Sequence, residues 1–166
     1  MDMVDKPIDE LVASRNFIEH IVIDKDTYKV SLLKSTKKQK REFSICAAET
    51  KKNISLTDAQ EIFACVTEFI KNNPQVSPCY SILDVSKTET FTLHQLKYAA
   101  SAFMSIKSFI ESSLVGTILK ISDTDQEDSF IVQAFQALYT PIRPICWYNN
   151  PGDAEKFVKE CEEKLN

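Results

Sequence analysis

The sequence predicts an α/β domain on a mixed, mostly parallel sheet of five or six strands, opened by an antiparallel hairpin and carrying about four helices. Three observations support this. Short apolar runs fill the first third of the chain, and the pattern then alternates between strand-like runs and stretches with apolar residues at steps of three and four. Strands that alternate with helices imply right-handed crossovers and parallel pairing. Finally, 166 residues with 43% hydrophobic and 27% charged composition fit one domain with a sizeable core. No Pro/Gly/Ser-rich linker or internal repeat divides the chain.

Residues 1–16 are polar and read as a flexible segment or a short helix from Pro7 to Arg15, leaving 17–166 as the folded unit. Phe17 to Ile23 and Tyr28 to Leu33 flank the polar connection Asp24-Lys-Asp-Thr27, which suits a hairpin. Phe43 to Ala48 forms a third strand, so the opening is an antiparallel meander. The period then changes. Ser55 caps a helix whose first turn holds Asp58, with Leu56, Ala59, Phe63, Val66 and Ile70 along one side. Pro74 and Pro78 end it and lead into Cys79 to Val85, a short apolar run with the look of a central strand whose acidic end opens toward solvent. Thr92 and Gln95 match a capping box at the start of the next helix, where Leu96, Ala99, Ala100, Phe103, Ile106 and Ile110 mark the buried side.

Val115 to Ile121 is a further strand. Acidic residues 123–128 suit the positive end of a third helix that carries Ile131, Ala134, Phe135 and Leu138 and stops near Thr140-Pro141. Ile142 to Tyr148 reads as the last strand, demoted to an edge by Pro144, which has no N–H for a ladder. Asn150-Pro-Gly-Asp153 is a cap with Pro at the first helical position. Ala154, Phe157, Val158, Cys161 and Leu165 stripe the final helix.

Composition excludes more than it assigns. The chain has two glycines, Gly116 and Gly152, far apart, so neither a GxGxxG dinucleotide loop nor a GxxxxGK[ST] phosphate loop exists. Two histidines, His20 and His94, are too few for a histidine-rich metal site, and no CxxC spacing occurs, so no cofactor or metal is expected. The five cysteines read as buried free thiols of a reducing compartment. A net charge of −4 with pI near 5.3 argues against general nucleic-acid binding, which draws on excess Lys and Arg. No apolar run has the length of a signal peptide or a membrane span, which points to a cytoplasmic protein.

Two segments resemble the STAS domain, the fold of bacterial anti-sigma-factor antagonists and of sulfate-transporter tails. Ile82-Leu-Asp-Val-Ser86 resembles the strand that precedes that family's phosphorylation loop. Arg143-Pro-Ile-Cys-Trp-Tyr148, followed by Asp153-Ala-Glu-Lys-Phe157, resembles its last strand and helix. The likeness covers residues 17–165 and implies helices mainly on one face of the sheet, together with a regulatory, non-enzymatic role in protein–protein interaction. One departure stands out, because the family's Ser-Ser-Gly turn is replaced by Thr92-Leu-His-Gln95. Thr92 and Ser86 are then the candidate phosphoacceptors, although the spacing of Thr92 to Gln95 already explains Thr92 as a structural cap, the preferred reading.

The surface expected to meet a partner comprises Asp84, His94, Lys97, Ser101 and Ser105. Helix two carries Ser101, Ser105, Ser108 and Ser112 at steps of four and three, a low-charge stripe that tolerates close approach by another helix. The one basic cluster, Lys34, Lys37, Lys38, Lys40 and Arg41, with Lys51 and Lys52 nearby, reads as a solvated hairpin tip; it lacks interleaved aromatics for base stacking. His94 has the chemistry of a general base, but no nucleophile or second carboxylate can be assigned beside it, so catalysis is not expected. The anticipated partner is a protein, kinase-like or signalling, or a second copy of the chain in a homodimer. The alternative is a small apolar-ligand (lipid) carrier.

Overall fold

The structure is a computed structural model that describes residues 6–36, 44–72, 79–88, 92–105, 114–121 and 145–165. Its elements are α1 (Pro7–Ala13), β1 (Phe17–Asp24), β2 (Tyr28–Ser35), β3 (Ser44–Thr50), α2 (Leu56–Asn72), β4 (Cys79–Asp84), α3 (Leu93–Ser105), β5 (Leu114–Lys120), β6 (Ile145–Trp147) and α4 (Asp153–Leu165). The strands lie side by side in chain order in one six-stranded sheet. β1, β2 and β3 pair antiparallel, and β3 through β6 pair parallel. The sheet is therefore mixed and mostly parallel, with β6 on one edge and β1 on the other.

Side chains alternate between the two faces along each strand, and the two hydrophobic clusters follow that alternation. Leu33, Ile45, Ala47, Tyr80, Ile82 and Ile118 pack with Ile8 and Leu11 of α1 and with Ala154, Val158 and Cys161 of α4. On the opposite face Tyr28, Val30 and Ala48 pack with Ile62 of α2. The crossover helices α2 and α3 share this second face, where the Phe63 and Tyr98 rings meet edge to face at 5.8 Å. The face opposite α2 and α3 is covered by the two terminal helices.

Residues 7–13 are a helix with Ile8 and Leu11 fully buried, so this part of the N-terminal region belongs to the core. Pro7 at the first helical position and the acidic Asp9 and Glu10 in the first turn favour the helix start. Glu10 then joins the chain's two ends. One carboxylate oxygen accepts the Tyr148 hydroxyl at 3.0 Å and the Gly152 N–H, and the other accepts the Glu155 N–H at 2.9 Å. Glu10 thereby supplies a negative charge and two acceptors to the otherwise unpaired amides at the start of α4.

The expected Pro at the first position of α4 is corrected by two residues. Gly152 has φ of +99°, which lies outside the helical range, so Pro151-Gly152 is a turn and Asp153 begins the helix. In α2 the buried side is carried by Ala59 and Ile62, while Leu56 is exposed. The side chains of Ile70, Leu96, Ala100 and Phe103, the third crossover helix expected after Asp128, and Lys37, Lys38, Lys40 and Arg41 lie outside the described residues.

Candidate functional site

Open α/β sheets place ligands at the carboxyl ends of their parallel strands, and here that end of the sheet carries charge, including Lys29 at the amino end of antiparallel β2. Register brings Asp24, Lys29, Glu49, Asp84 and Lys120 opposite one another on β1 through β5, forming a charged row on the face covered by α1 and α4. Lys6, just before α1, reaches Glu49 at 2.8 Å. Lys29 contacts Glu19 at 2.8 Å and Glu49 at 3.6 Å. Glu49 is 7% exposed and Asp84 only 1%, so the centre of the row is sealed while Asp24 at its β1 end is exposed.

Asp84 therefore does not open toward solvent, which corrects its expected role on a partner surface. One of its carboxylate oxygens accepts the Ser86 N–H at 3.1 Å and the Ser86 hydroxyl at 2.6 Å; the other has no hydrogen-bond partner among the described residues. Burial pushes the Asp84 carboxyl above its ordinary range. The Ser86 hydrogen bonds pull the other way, Glu49 adds to the rise and Lys120 opposes it. Asp84 is the anchor of its own loop.

That loop is tied down at several points. The Val85 N–H extends the β5 ladder by bonding to the Lys120 carbonyl at 2.9 Å. Thr88, fully buried, donates its hydroxyl to the Lys52 carbonyl at 3.0 Å. Ser86 is half-buried with its hydroxyl engaged by Asp84, whereas Thr92 is exposed.

Thr92 and Gln95 form the anticipated capping box. The Thr92 hydroxyl accepts the Gln95 N–H at 3.1 Å, and the Gln95 side-chain oxygen accepts the Thr92 N–H at 2.9 Å. Gln95 also donates its side-chain N–H to the Ile54 carbonyl at 2.7 Å. A second reciprocal pair, Ser55 with Asp58, caps α2, each bond 3.1 Å long. The contact between Gln95 and Ile54 thus sets the starts of α2 and α3 side by side.

Below their starts the two helices leave a groove of about 480 Å³ lined by Phe63, Ala64, Thr67, Glu68, Tyr98, Ser101, Ala102 and Ser105. Two residues of the expected partner surface, Ser101 and Ser105, lie in it. The small residues Ala64, Ser101, Ala102 and Ser105 form its close-approach walls, Phe63 and Tyr98 give it an aromatic contact surface, and Glu68 supplies a negative charge. His94 and Lys97 are exposed on α3, outside the groove lining. Ser108 and Ser112 fall outside the described residues. The α2 contribution was not anticipated, because it depends on how two helices distant in sequence face each other.

The thiols fit a core role. Cys161 is buried and Cys46, Cys65 and Cys146 are half-buried and unpaired with one another. Burial raises the Cys65 thiol and pushes that of Cys146 up to about 11, which disfavours the reactive thiolate. Among the described residues no helix is long and apolar enough to cross a membrane. In comparisons with protein-family models, with curated proteins and with solved structures, the chain matches none of them.

Proposed function

We propose that the protein is a non-enzymatic regulatory module of STAS-like type that acts in the cytoplasm by docking a protein partner against α2 and α3. The observation that carries this reading is the groove between those helices, with Ser101 and Ser105 on one wall and Phe63, Thr67 and Glu68 on the other. Small residues at helical spacing allow a partner helix to approach closely, as in helix-in-groove recognition. Glu68 favours a partner that places a basic residue at that side of the groove. Lys97 and His94, exposed on the same helix, extend the surface toward the Thr92 cap.

Thr92 is the better placed of the two phosphoacceptor candidates. It is exposed at the N-terminus of a 13-residue helix, where amide groups and the helix dipole favour an anion. Ser86 is held inside the loop by Asp84. A phosphate on Thr92 would add charge next to the partner surface without crossing the core. The mixed lining of the groove, with Thr67, Glu68, Ser101 and Ser105, suits a helix carrying polar residues better than an apolar ligand.

The test pairs binding with stability. Ser101→Arg and Lys97→Glu are expected to reduce partner recovery in pull-downs from the native cell at least several-fold while moving Tm by no more than about 1–2 °C, as surface changes do. Substitutions that shift Tm but leave partner recovery unchanged would remove the assignment. Native mass spectrometry of the purified protein should show the bare chain mass; a copurified apolar ligand would favour the carrier reading instead.

A further inference from the structure

We infer that Lys6 is a proton-operated latch at the root of α1, paired with Glu49 while Asp84 is protonated and drawn to Asp84 once that carboxyl ionises. The device lies on the face covered by α1 and α4, so it stands or falls independently of the α2–α3 groove. The observation that carries it is a sealed carboxyl oxygen with nothing bound to it. Asp84 is 1% exposed, and the Ser86 N–H and hydroxyl fill one of its oxygens. The other has no hydrogen-bond partner among the described residues. A buried carboxylate oxygen without a donor is strongly unfavourable, so this arrangement suits a protonated Asp84. Burial, which holds the carboxyl above its ordinary range, agrees.

Glu49 and Asp84 are rivals for one cation. They stand opposite each other in the parallel β3–β4 register, so their side chains leave the same side of strands about 4.8 Å apart. Lys6 Nζ lies 2.8 Å from Glu49 Oε1, and the Asp84 charge is near enough to act on it. The hydrogen bond to Glu49 holds the Lys6 ammonium above its ordinary value against the effect of burial, with Asp9 and Asp84 adding to the rise. Lys6 therefore remains a cation while Asp84 titrates. Its side chain is 33% exposed, and a lysine stem is flexible enough to trade one carboxylate for another. Glu49 is not left alone by that trade, because Lys29 Nζ, 2.8 Å from Glu19, also lies 3.6 Å from Glu49 Oε2.

The surrounding charges set the direction. Lys120 on β5 opposes the rise at Asp84 but sits over the Tyr148 ring at 5.4 Å. Glu10 is turned to Tyr148 and the first amides of α4. Lys6, Lys29 and Lys120 are matched by Asp9, Glu19 and Glu49, which makes Asp84 the odd carboxyl of the group. At low pH the Asp84 proton leaves Lys6 on Glu49, as the structure has it. As pH rises through the raised Asp84 value, the new charge draws Lys6 to the unfilled oxygen. Lys6 immediately precedes the first helical residue, Pro7, and its carbonyl accepts the Glu10 N–H at 2.9 Å. The trade consequently reseats the entry of α1 over the core.

Carbon and nitrogen NMR of the full chain across pH tests the latch by the coupling that passes through the Lys6 hydrogen bond. That coupling is expected to run from Lys6 Nζ to Glu49 Cδ below the Asp84 midpoint and to Asp84 Cγ above it. The midpoint itself should lie above the ordinary aspartate value of about 3.9. Glu49→Gln, which removes the rival and frees Lys6, should weaken proton binding at Asp84 about tenfold, and Lys6→Met should strengthen it about tenfold. In Asp84→Asn the coupling should stay on Glu49 at every pH. Coupling that remains on Glu49 while Asp84 titrates in the unmodified chain overturns the proposal, as does an Asp84 midpoint at the ordinary value. So does a midpoint that Lys6→Met leaves unmoved or lowers. Melting curves identify any variant that does not fold, and the coupling in the unmodified chain then decides.

Discussion

Asp84 shows how one side chain organises the loop between sheet and helix. Its carboxyl is sealed beneath α1 and lies next to Glu49 in register, so ionising it is disfavoured by desolvation and by a like charge. The folded-state pKa lies above the ordinary carboxylate value. The stability tied to this proton is full at low pH and is lost as pH rises through the raised folded value. Across the window between those two values, the Asp84 contribution makes the protein less stable with increasing pH. Asp84→Asn, which keeps an acceptor for Ser86, is expected to flatten that part of a Tm–pH profile and to leave Tm at pH 7 equal or higher; a steeper profile would contradict it. Arg15 gives a second residue-scale prediction. It adopts a φ of 64° just beyond α1, a left-handed conformation that favours glycine. Arg15→Gly should stabilise the fold by up to about 1 kcal/mol in chemical denaturation.

At the scale of elements, the capping boxes were legible in the sequence and the tertiary ties were not. Thr92 and Gln95 stand three positions apart, and their bonds are local. The further bond from Gln95 to the Ile54 carbonyl joins positions 41 residues apart, which no spacing rule reaches. Gln95→Ala is expected to destabilise by about 1–2 kcal/mol, more than Ser55→Ala, because it removes both the α3 cap and the tie to α2. Glu10 is the corresponding tie between α1 and α4. Glu10 is 6% exposed, and its side chain meets Tyr148, Gly152 and Glu155. Glu10→Ala should cost about 2–4 kcal/mol, and a double-mutant cycle with Tyr148→Phe should show non-additivity. Additive effects would mean the two side chains do not act as a unit.

Across the whole molecule, the order of strands explains both the face that is available and the one that is not. Sequential parallel strands with right-handed crossovers put α2 and α3 on one side, where their small and polar residues form the groove. The opposite face is closed by helices from the two ends of the chain. Periodicity and chain order were enough to predict the mixed sheet, the opening hairpin and the edge position of β6. They did not reveal that Pro7–Ala13 seals the other face, because a polar N-terminal stretch with Ile8 and Leu11 one turn apart is too short to declare its burial. The same closure explains why Asp84, read as the end of an open strand, is covered. It also hides the row from Lys29 to Lys120, whose members each look like an unremarkable charge at the end of a strand. The groove on which the proposed docking rests lies along the helices, with Ser101 and Ser105 among the residues named from the sequence and Phe63, Thr67 and Glu68 added by packing.

The most direct test of that surface is site-specific photocrosslinking in the native cell, with the photoreactive residue placed at Ser101 on the groove or at Lys159 on the exposed side of α4. The account predicts one or a few discrete protein adducts from position 101, lost when Ala64 is changed to Trp to fill the groove, and no matching adduct from position 159. Equal adducts from both positions, or none from position 101 in a folded protein, would contradict a docking role for the α2–α3 groove.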